Sequence, residues 1–418
     1  MIKIERRTIG DGLRVAAVPI DGLRSVSVVL AMEAGQFFEP PGRAGVARLT
    51  AQSLLRGTQK RDANAWSDAL DALGASARLD VGAHAAVFSG QCLADDLPAF
   101  LELIAETVVT PVLAPEGLEF VRGHTLAEIE EAKKDTRSVA DATWRELAYP
   151  EGHPFRTRSI GDEKVVRSAT IDEVRAYHRT AIVPRGSVLV LAGALDVERA
   201  SAAAEHAFAG WRGRYERGWS EQPYSIDTAR RRAVVLPDKT QADVVLGWLG
   251  IPRTDPRFTK AQVTNMVFAA DTFASRAGQV VRDELGLAYY VFSTIAGTAS
   301  RGPWTVRMGV NPENVERAIT VTFAELKKIR DGAIVDDDLA LARDKLVGEL
   351  EVGRESPQGV AGMVLEAELF HLGDDHLERY PRDLRAVTKS EVIEIASELL
   401  PLDRYALAIA GPEIPPAR

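Results

Sequence analysis

Few residues in this sequence could carry metal or redox chemistry. The chain has seven histidines and a single cysteine, Cys92, so an internal disulfide, a cysteine zinc cluster and a CxxC redox site are all excluded. His371 and His376 are five residues apart, which would place them on different faces of a helix. No other pair of histidines has the spacing of metal ligands. The sequence by itself therefore presents no zinc site.

The composition excludes several classes of partner. The 51 basic and 60 acidic residues give a net charge of −9, which argues against a nucleic-acid groove or an anionic membrane surface. A hydrophobic content of 46% is typical of a folded globular protein. No stretch approaches the roughly 18 apolar residues of a membrane helix, and the first residues lack the apolar region of a signal peptide. We expect a cytoplasmic protein, or a periplasmic one if a signal peptide was removed before the numbering begins.

The chain contains an internal repeat. A Thr-x-x-Glu pattern, typical of a helix-starting capping box, begins at Thr170 and again at Thr388. Each of these helices is followed by a proline and then by a short apolar strand that ends at Gly193 or Gly411. The same offset of 218 positions separates the two threonines and the two glycines. So constant an offset indicates two copies of one structural unit.

The repeat predicts the domain organisation and the fold class. A chain of 418 residues is too long for one ordinary core, and we expect homologous domains at 1–215 and 230–418. The charged segment 212–232 has little apolar periodicity and is typical of a linker. Alternating or β-branched runs at the start, middle and end of each half are separated by amphipathic helices. We therefore predict an α+β fold in which each domain is a mostly antiparallel sheet with helices packed on one face.

Three motifs resemble those of the pitrilysin-type (M16) metallopeptidases, the inverzincin family. Residues 45–58, GVARLTAQSLLRGT, match the frame of the family's opening helix, G-x-A-H-F-L-E-H-M-x-F-x-G-T. Residues 152–155, GHPF, resemble its G-H-P-Y/F, and residues 282–289, RDELGLAY, resemble its R-E-x-x-G-L-A-Y. The matches occur in the family's order and cover nearly the whole chain. The sequence is thus identified as a member of a family whose M16/LuxS-like fold has two such domains in each subunit.

The zinc motif of that family is degenerate here. In active members the two histidines of H-x-x-E-H bind Zn²⁺ and the glutamate between them is the general base. These positions hold Arg48, Ala51 and Gln52, and only the later glutamate ligand is retained, as Glu128. Arginine has no lone pair for a metal, a glutamine amide is a poor ligand, and alanine cannot accept a proton. We predict that this chain binds no zinc and does not hydrolyse peptides alone.

The replaced positions also suggest a specific contact. Arg48 is predicted to pair with Glu128, which would put a fixed positive group where zinc would sit. The alternative is an ordinary solvated stripe that runs from Arg48 through Gln52 to Arg56 at helical spacing.

A second pair of residues is retained where the zinc motif is not. The resemblance implies that Arg282 and Tyr289, in the second domain, face a zinc site. The tyrosine would donate to the oxyanion of the tetrahedral intermediate, and the arginine would help to hold a substrate carbonyl. Tyr290 is adjacent, and strand geometry places it on the other face, so the spacing from Arg282 selects Tyr289. Without the resemblance, Arg282 and Tyr289 would be ordinary packing positions.

The resemblance also concerns an edge strand that holds substrate in the family. The corresponding stretch here is 74–84, and it carries Ser76 and Ala77 where the family usually has Asn-Ala. This departure argues against peptide binding at this edge, as expected if the edge of a partner holds the scissile peptide.

Together these features imply one half of a split enzyme. The chain would supply Arg282 and Tyr289 in trans to a homologous partner that carries H-x-x-E-H and the zinc, and the substrate would be a peptide. The alternative is a catalytically dead structural or peptide-binding scaffold, which could be a homodimer, like the family's core proteins in a respiratory complex. The retained pair favours the first alternative, because a scaffold needs neither residue. A zinc peptidase with other ligands is disfavoured, since a replacement base and a second histidine are missing.

Overall fold

The computed structural model describes residues 2–213 and 224–414. Residues 214–223 of the predicted linker lie outside the described residues, and its last residues, from Arg230, already belong to a strand. Eleven strands are described: β1 Glu5–Ile9, β2 Leu13–Pro19, β3 Ser25–Met32, β4 Ser76–Val81, β5 Ala86–Leu93, β6 Val188–Gly193, β7 Arg230–Val235, β8 Ala242–Leu249, β9 Ala288–Ile295, β10 Pro303–Val310 and β11 Ala406–Gly411.

The described helices are more numerous than the strands. Their bounds are α1 Val46–Leu54, α2 Ala63–Ala72, α3 Leu97–Val109, α4 Pro115–Lys134, α5 Thr136–Ala148, α6 Glu163–Ser168, α7 Ile171–Ala181, α8 Val197–Ala207, α9 Phe258–Phe268, α10 Arg276–Gly278, α11 Val315–Arg330, α12 Asp336–Arg354, α13 Pro357–Leu369, α14 His376–Ala386 and α15 Lys389–Leu399. A π-helical turn, Gln279–Glu284, continues α10. None of the described helices has the length and apolar character needed to cross a membrane.

The two sheets share the topology of five strands. The first has the strand order β1-β2-β6-β3-β5-β4, and the second has the order β7-β11-β8-β10-β9. In each sheet one pair is parallel, β2 with β6 and β7 with β11, and the other pairs are antiparallel. The second sheet thus repeats the first without β1. The capping boxes predicted at Thr170 and Thr388 are both present, at the starts of α7 and α15. The predicted α+β class with mostly antiparallel sheets is confirmed.

By internal contacts the chain divides into two compact units that exchange one segment each. Of the described residues, unit 1 contains 2–129, 158–213 and 352–377, and unit 2 contains 130–157, 224–351 and 378–414. Helix α13, from the second half of the sequence, therefore belongs to unit 1, and α5, from the first half, belongs to unit 2. The predicted domain ranges 1–215 and 230–418 stay a prediction, and the contact-based units differ from them by these exchanged segments.

Each sheet is covered on both faces. In unit 1 the main core lies between one face of the sheet and helices that include α1, α3 and α7. Val360, Ala361 and Val364 of α13 pack on the opposite face, against Val29 and Val190. In unit 2, α5 packs on β8 and β11, and the indole N–H of Trp144 donates to the Ala406 carbonyl at 3.1 Å. Helices were predicted on one face of each sheet. In each unit, one exchanged helix also covers the opposite face.

Candidate functional site

Helix α1 positions the residues of the degenerate zinc motif. Its first turn packs closely, since Gly45 has a φ of +112° and a Cβ there would lie 3.0 Å from the Gly161 Cα. Glu39 accepts the N–H groups of Gly45 and Ala47 at 2.7 and 2.9 Å and so caps the helix. Burial raises the pKa of Glu39 to about 7, although these two bonds act to lower it. Leu49 of α1 is buried, whereas Arg48 and Gln52 are only partly buried.

Arg48 and Glu128 are in contact in unit 1. An Nη2 group of Arg48 donates to the Glu128 carboxylate at 2.6 Å, across from α1 to α4. The two side chains are 27% and 50% exposed, so the pair contributes about 1 kcal/mol or less to stability. The predicted contact is present, and it occupies the only carboxylate that remains of the family's ligand set. The Nε of Arg48 is buried with no hydrogen-bond acceptor among the described residues.

Gln52 contacts the edge of the first sheet. Its Nε2 donates to the backbone carbonyl of Leu79 at 2.8 Å, and Leu79 lies in the edge strand β4. The stretch predicted to be an edge strand therefore is one, and Gln52 already engages one of its carbonyls. That no substrate peptide binds at this edge stays a prediction. Ala51, between these polar residues, is buried.

The residues at these positions do not fit zinc. A zinc site in proteins usually takes three or four histidine, cysteine or carboxylate ligands, and Glu128 alone is of that kind here. Arg48 brings a fixed positive charge, and the Gln52 amide nitrogen faces a carbonyl. Within 2–213 and 224–414 no group of three or more ligand side chains could hold a metal ion. The two histidines compared above do not share a helix, because His371 lies in a turn with a φ of +51° and His376 begins α14.

Arg282 and Tyr289 are brought together in unit 2. Arg282 lies in the π-helical turn, and its Nε donates to the backbone carbonyl of Tyr289 at 3.1 Å. Its Nη1 donates to Asp283, and its guanidinium carbon lies 4.6 Å from the centroid of the Phe273 ring. A π-helical turn is rare and often occurs at functional sites. The Arg282 side chain is thus in contact with the Tyr289 carbonyl, Asp283 and the Phe273 ring.

A β-bulge presents the Tyr289 side chain. In the pairing of β9 with β10, Gly309 faces Tyr290 and Val310 faces Ala288, so Tyr289 is the extra residue. Its side chain is 80% exposed and has no hydrogen-bond partner among the described residues. A bulge at an edge strand redirects a side chain in this way, and β9 is the edge strand of the second sheet.

Tyr290, by contrast, is fixed within unit 2. Its hydroxyl donates to the Asp243 carboxylate and accepts from the Nε of Arg137 at 3.3 Å. Thr136 donates to the same carboxylate. Burial and the neighbouring Asp243 raise the pKa of Tyr290 above its ordinary value. Of the two adjacent tyrosines, only Tyr289 presents an unengaged hydroxyl, and its catalytic role stays a prediction.

Sequence reasoning missed three residues of these sites. Glu39 precedes the helix that it caps, and nothing in its local pattern indicates burial. Asp243 lies in a buried strand, where a charged residue interrupts an apolar run, and that interruption was the available signal. Phe273 lies in a loop without periodicity, and its contact with Arg282 could not be inferred from spacing.

Comparison with known proteins places these features in a family. Residues 14–153 match the sequence profile described as insulinase (peptidase family M16), and residues 168–346 match the profile described as peptidase M16 inactive domain. The chain therefore belongs to the M16 peptidase family. The profile described as inactive matches the part of the chain after the zinc-motif positions.

Curated relatives and solved structures match this chain over nearly its whole length. An uncharacterized zinc protease of Streptomyces coelicolor is 26% identical over 98% of this chain and 90% of its own length. A second uncharacterized zinc protease, from Mycobacterium tuberculosis, is 25% identical over 97% of this chain and 93% of its own. A peptidase M16 inactive domain from Pseudomonas fluorescens has the same fold, with a TM-score of 0.92, 24% identity and 99% of both chains covered. A protease from Helicobacter pylori also superposes with a TM-score of 0.92, at 17% identity, over 99% of this chain and all of its own.

Proposed function

We propose that this chain is the non-zinc-binding subunit of a heterodimeric M16 peptidase. Its partner would be a homologous chain with an intact H-x-x-E-H motif, and the zinc of the complex would belong to that partner. Two relatives bear the name zinc protease, whereas Arg48, Ala51 and Gln52 do not suit zinc. The proposal reconciles these facts by placing the metal on another chain. A cytoplasmic location is part of the proposal, with the periplasm as its alternative.

The exposed hydroxyl of Tyr289 carries the proposal. A tyrosine that is 80% exposed at a bulge, beside an arginine held by Asp283 and by a backbone carbonyl, contributes little to a core. Both are hydrogen-bond donors of the kind that stabilises a developing oxyanion. In the complex, the Tyr289 hydroxyl would donate a hydrogen bond to the oxyanion, and Arg282 would donate one to a substrate carbonyl. The partner's zinc would supply the activated water.

A catalytically dead scaffold, which would include a homodimer, is the competing function. The contacts of Arg48 with Glu128 and of Gln52 with Leu79 favour it, because they engage both side chains within the chain. They do not account for the exposed pair in unit 2. The two functions differ in one measurable respect, since only the first requires the side chains of Arg282 and Tyr289 for peptide hydrolysis.

The experiment begins with the partner. Tagged full-length chain is purified from its own source organism, and co-purifying chains of similar size are identified and searched for H-x-x-E-H. That partner is then co-expressed with this chain, and zinc content and hydrolysis of a quenched-fluorescence peptide library are measured. We expect no stoichiometric zinc and no activity for this chain alone, and about one zinc for each active heterodimer.

Substitution of the exposed tyrosine tests the chemistry. Y289F in the heterodimer should lower kcat about 100-fold, the usual cost of removing one oxyanion donor. Y405F is the matched control, because Tyr405 packs against Phe323 with ring centroids 4.8 Å apart, and it should leave kcat unchanged. An unchanged kcat for Y289F, or a chain that associates only with itself, would contradict the proposal and favour the scaffold.

A further inference from the structure

The guanidinium of Arg282 has one nitrogen that makes no hydrogen bond to the described residues. Nε bonds to the Tyr289 carbonyl and Nη1 bonds to Asp283, whereas Nη2 has no partner among the described residues. The side chain as a whole is 33% exposed, so it is only partly buried. An arginine held in this way has fewer conformations to lose when it binds a carbonyl group. How accurately it is oriented depends on the contacts that fix the plane of its guanidinium group.

Phe273 is the residue that lies against this plane. Its ring centroid is 4.6 Å from the guanidinium carbon, within the range of a cation–π contact. The ring is 66% exposed, so it is not a core residue of unit 2. Single exposed apolar side chains are common on protein surfaces, so it is the contact with Arg282 that distinguishes Phe273.

The loop that carries Phe273 is itself fixed. Asp271 accepts the N–H groups of Phe273 and Ala274, both at 2.8 Å, and pairs with Lys345 at 2.6 Å. Thr272 donates to the Val291 carbonyl of β9 at 2.9 Å, which ties the loop to the strand of Tyr289.

The next helix also approaches this loop closely. A Cβ at Gly278 would lie 2.2 Å from the Thr272 carbonyl oxygen, so only glycine allows the approach. The exposed ring of Phe273 therefore stands on a rigid base, next to Arg282.

We propose that Phe273 is a positioning residue for Arg282. The ring holds the guanidinium against the Tyr289 carbonyl and leaves Nη2 as the donor to a substrate carbonyl. This inference rests on the proposed function, because it assigns the support of the same Arg282 and Tyr289 site. It adds a residue that touches neither the oxyanion nor the partner's metal.

A double-mutant cycle tests the inference in the reconstituted heterodimer with the same peptide library. F273A should lower kcat/KM about tenfold, because loss of orientation at a catalytic donor is costly. F273W, which keeps an aromatic face, should retain activity within about threefold. When R282A is already present, F273A should cause no further loss, since a positioning residue acts only through the residue that it positions.

A second arginine–aromatic contact provides the matched control. In unit 1 the guanidinium carbon of Arg56 lies 3.9 Å from the Phe120 ring centroid, and Phe120 is 49% exposed. F120A removes the same kind of stack without touching Arg282 and should leave kcat/KM unchanged.

The outcomes separate the two proposals. If R282A itself retains wild-type activity, the proposed function fails and this inference falls with it. If R282A is impaired but F273A is not, only the role of Phe273 is wrong. Equal losses from F273A with and without R282A would also overturn it, because they would show an effect on folding rather than on the arginine. Thermal unfolding of each variant measures that effect separately.

Discussion

Glu39 lies beneath the first turn of α1, where it accepts two backbone N–H groups. Its carboxyl group is buried, and its pKa is raised from 4.5 to about 7. Between these two values the folded chain binds a proton that the unfolded chain has released. The free energy of unfolding contributed by Glu39 therefore falls as the pH rises from 4.5 to 7, by about 3 kcal/mol at most.

The variant E39Q makes this contribution measurable. Glutamine keeps an oxygen that can accept both N–H groups but carries no charge at any pH. We expect the stability of E39Q relative to the wild-type chain to increase as the pH rises from 4.5 to 7 and to stay constant above it. Denaturant unfolding at a series of pH values gives this difference directly, and a difference that does not change with pH would contradict the assignment.

Other residues of the two sites differ in how far the sequence could predict them. The contact of Arg48 with Glu128 was predicted, because a family frame gave both positions and opposite charges. The spacing of the family motif selected Tyr289 over Tyr290, and the catalytic role of Tyr289 stays a prediction. The stack of Phe273 on Arg282 was not, because it joins a loop to a π-helical turn and neither has a periodic pattern.

At the scale of elements, α1 and α4 bring position 48 of the degenerate zinc motif against Glu128. Positions 48 and 52 are one helical turn apart on one side of α1, and Arg48 already reaches Glu128. An imidazole with a bound metal spans roughly the length of an arginine side chain. The variant R48H/Q52H would then offer two histidines and Glu128, which is the usual number of protein ligands at an open zinc site.

We expect R48H/Q52H to bind about one zinc per chain, as measured by metal analysis after gel filtration. The same double variant with E128Q should bind much less, because one of the three ligands is lost. Peptide hydrolysis should stay absent in both variants, since Ala51 occupies the position of the general base and cannot accept a proton. Zinc content no higher than that of the wild-type chain would show that the helix frame is not preserved.

The starts of two helices followed from sequence pattern, but two local irregularities did not. The helix starts expected at Thr170 and Thr388 are the capping boxes of α7 and α15. The bulge in β9 and the π-helical turn before it each change the phase of a regular element. A periodic pattern cannot indicate such a change, because it assumes a constant phase. Both irregularities occur where Arg282 and Tyr289 are presented.

For the whole molecule, the repeat predicted the two equivalent sheets but not the exchange of helices. Local sequence determines that α5 and α13 form helices, yet nothing in their patterns tells which sheet each one covers. Their assignment to opposite units is a tertiary choice, made where apolar sheet faces are available. Each half of the sequence therefore lacks one helix of the unit to which it mainly contributes.

This exchange predicts that the first half of the chain does not fold well alone. A fragment of residues 1–213 would keep the main core of unit 1 but would expose the face of β3 and β6 that α13 covers. Burial of apolar area is worth about 25 cal/mol per Å², so loss of a packed helix should cost several kcal/mol.

We expect the fragment 1–213 to bind a hydrophobic dye and to aggregate, as measured by fluorescence and light scattering. The same fragment joined through a flexible linker to residues 352–377 should bind less dye and unfold cooperatively. The added segment with V360D and V364D is the control, because a charge at either position opposes packing on the apolar face. Cooperative unfolding of 1–213 without the added segment would show that unit 1 does not depend on the exchanged helix.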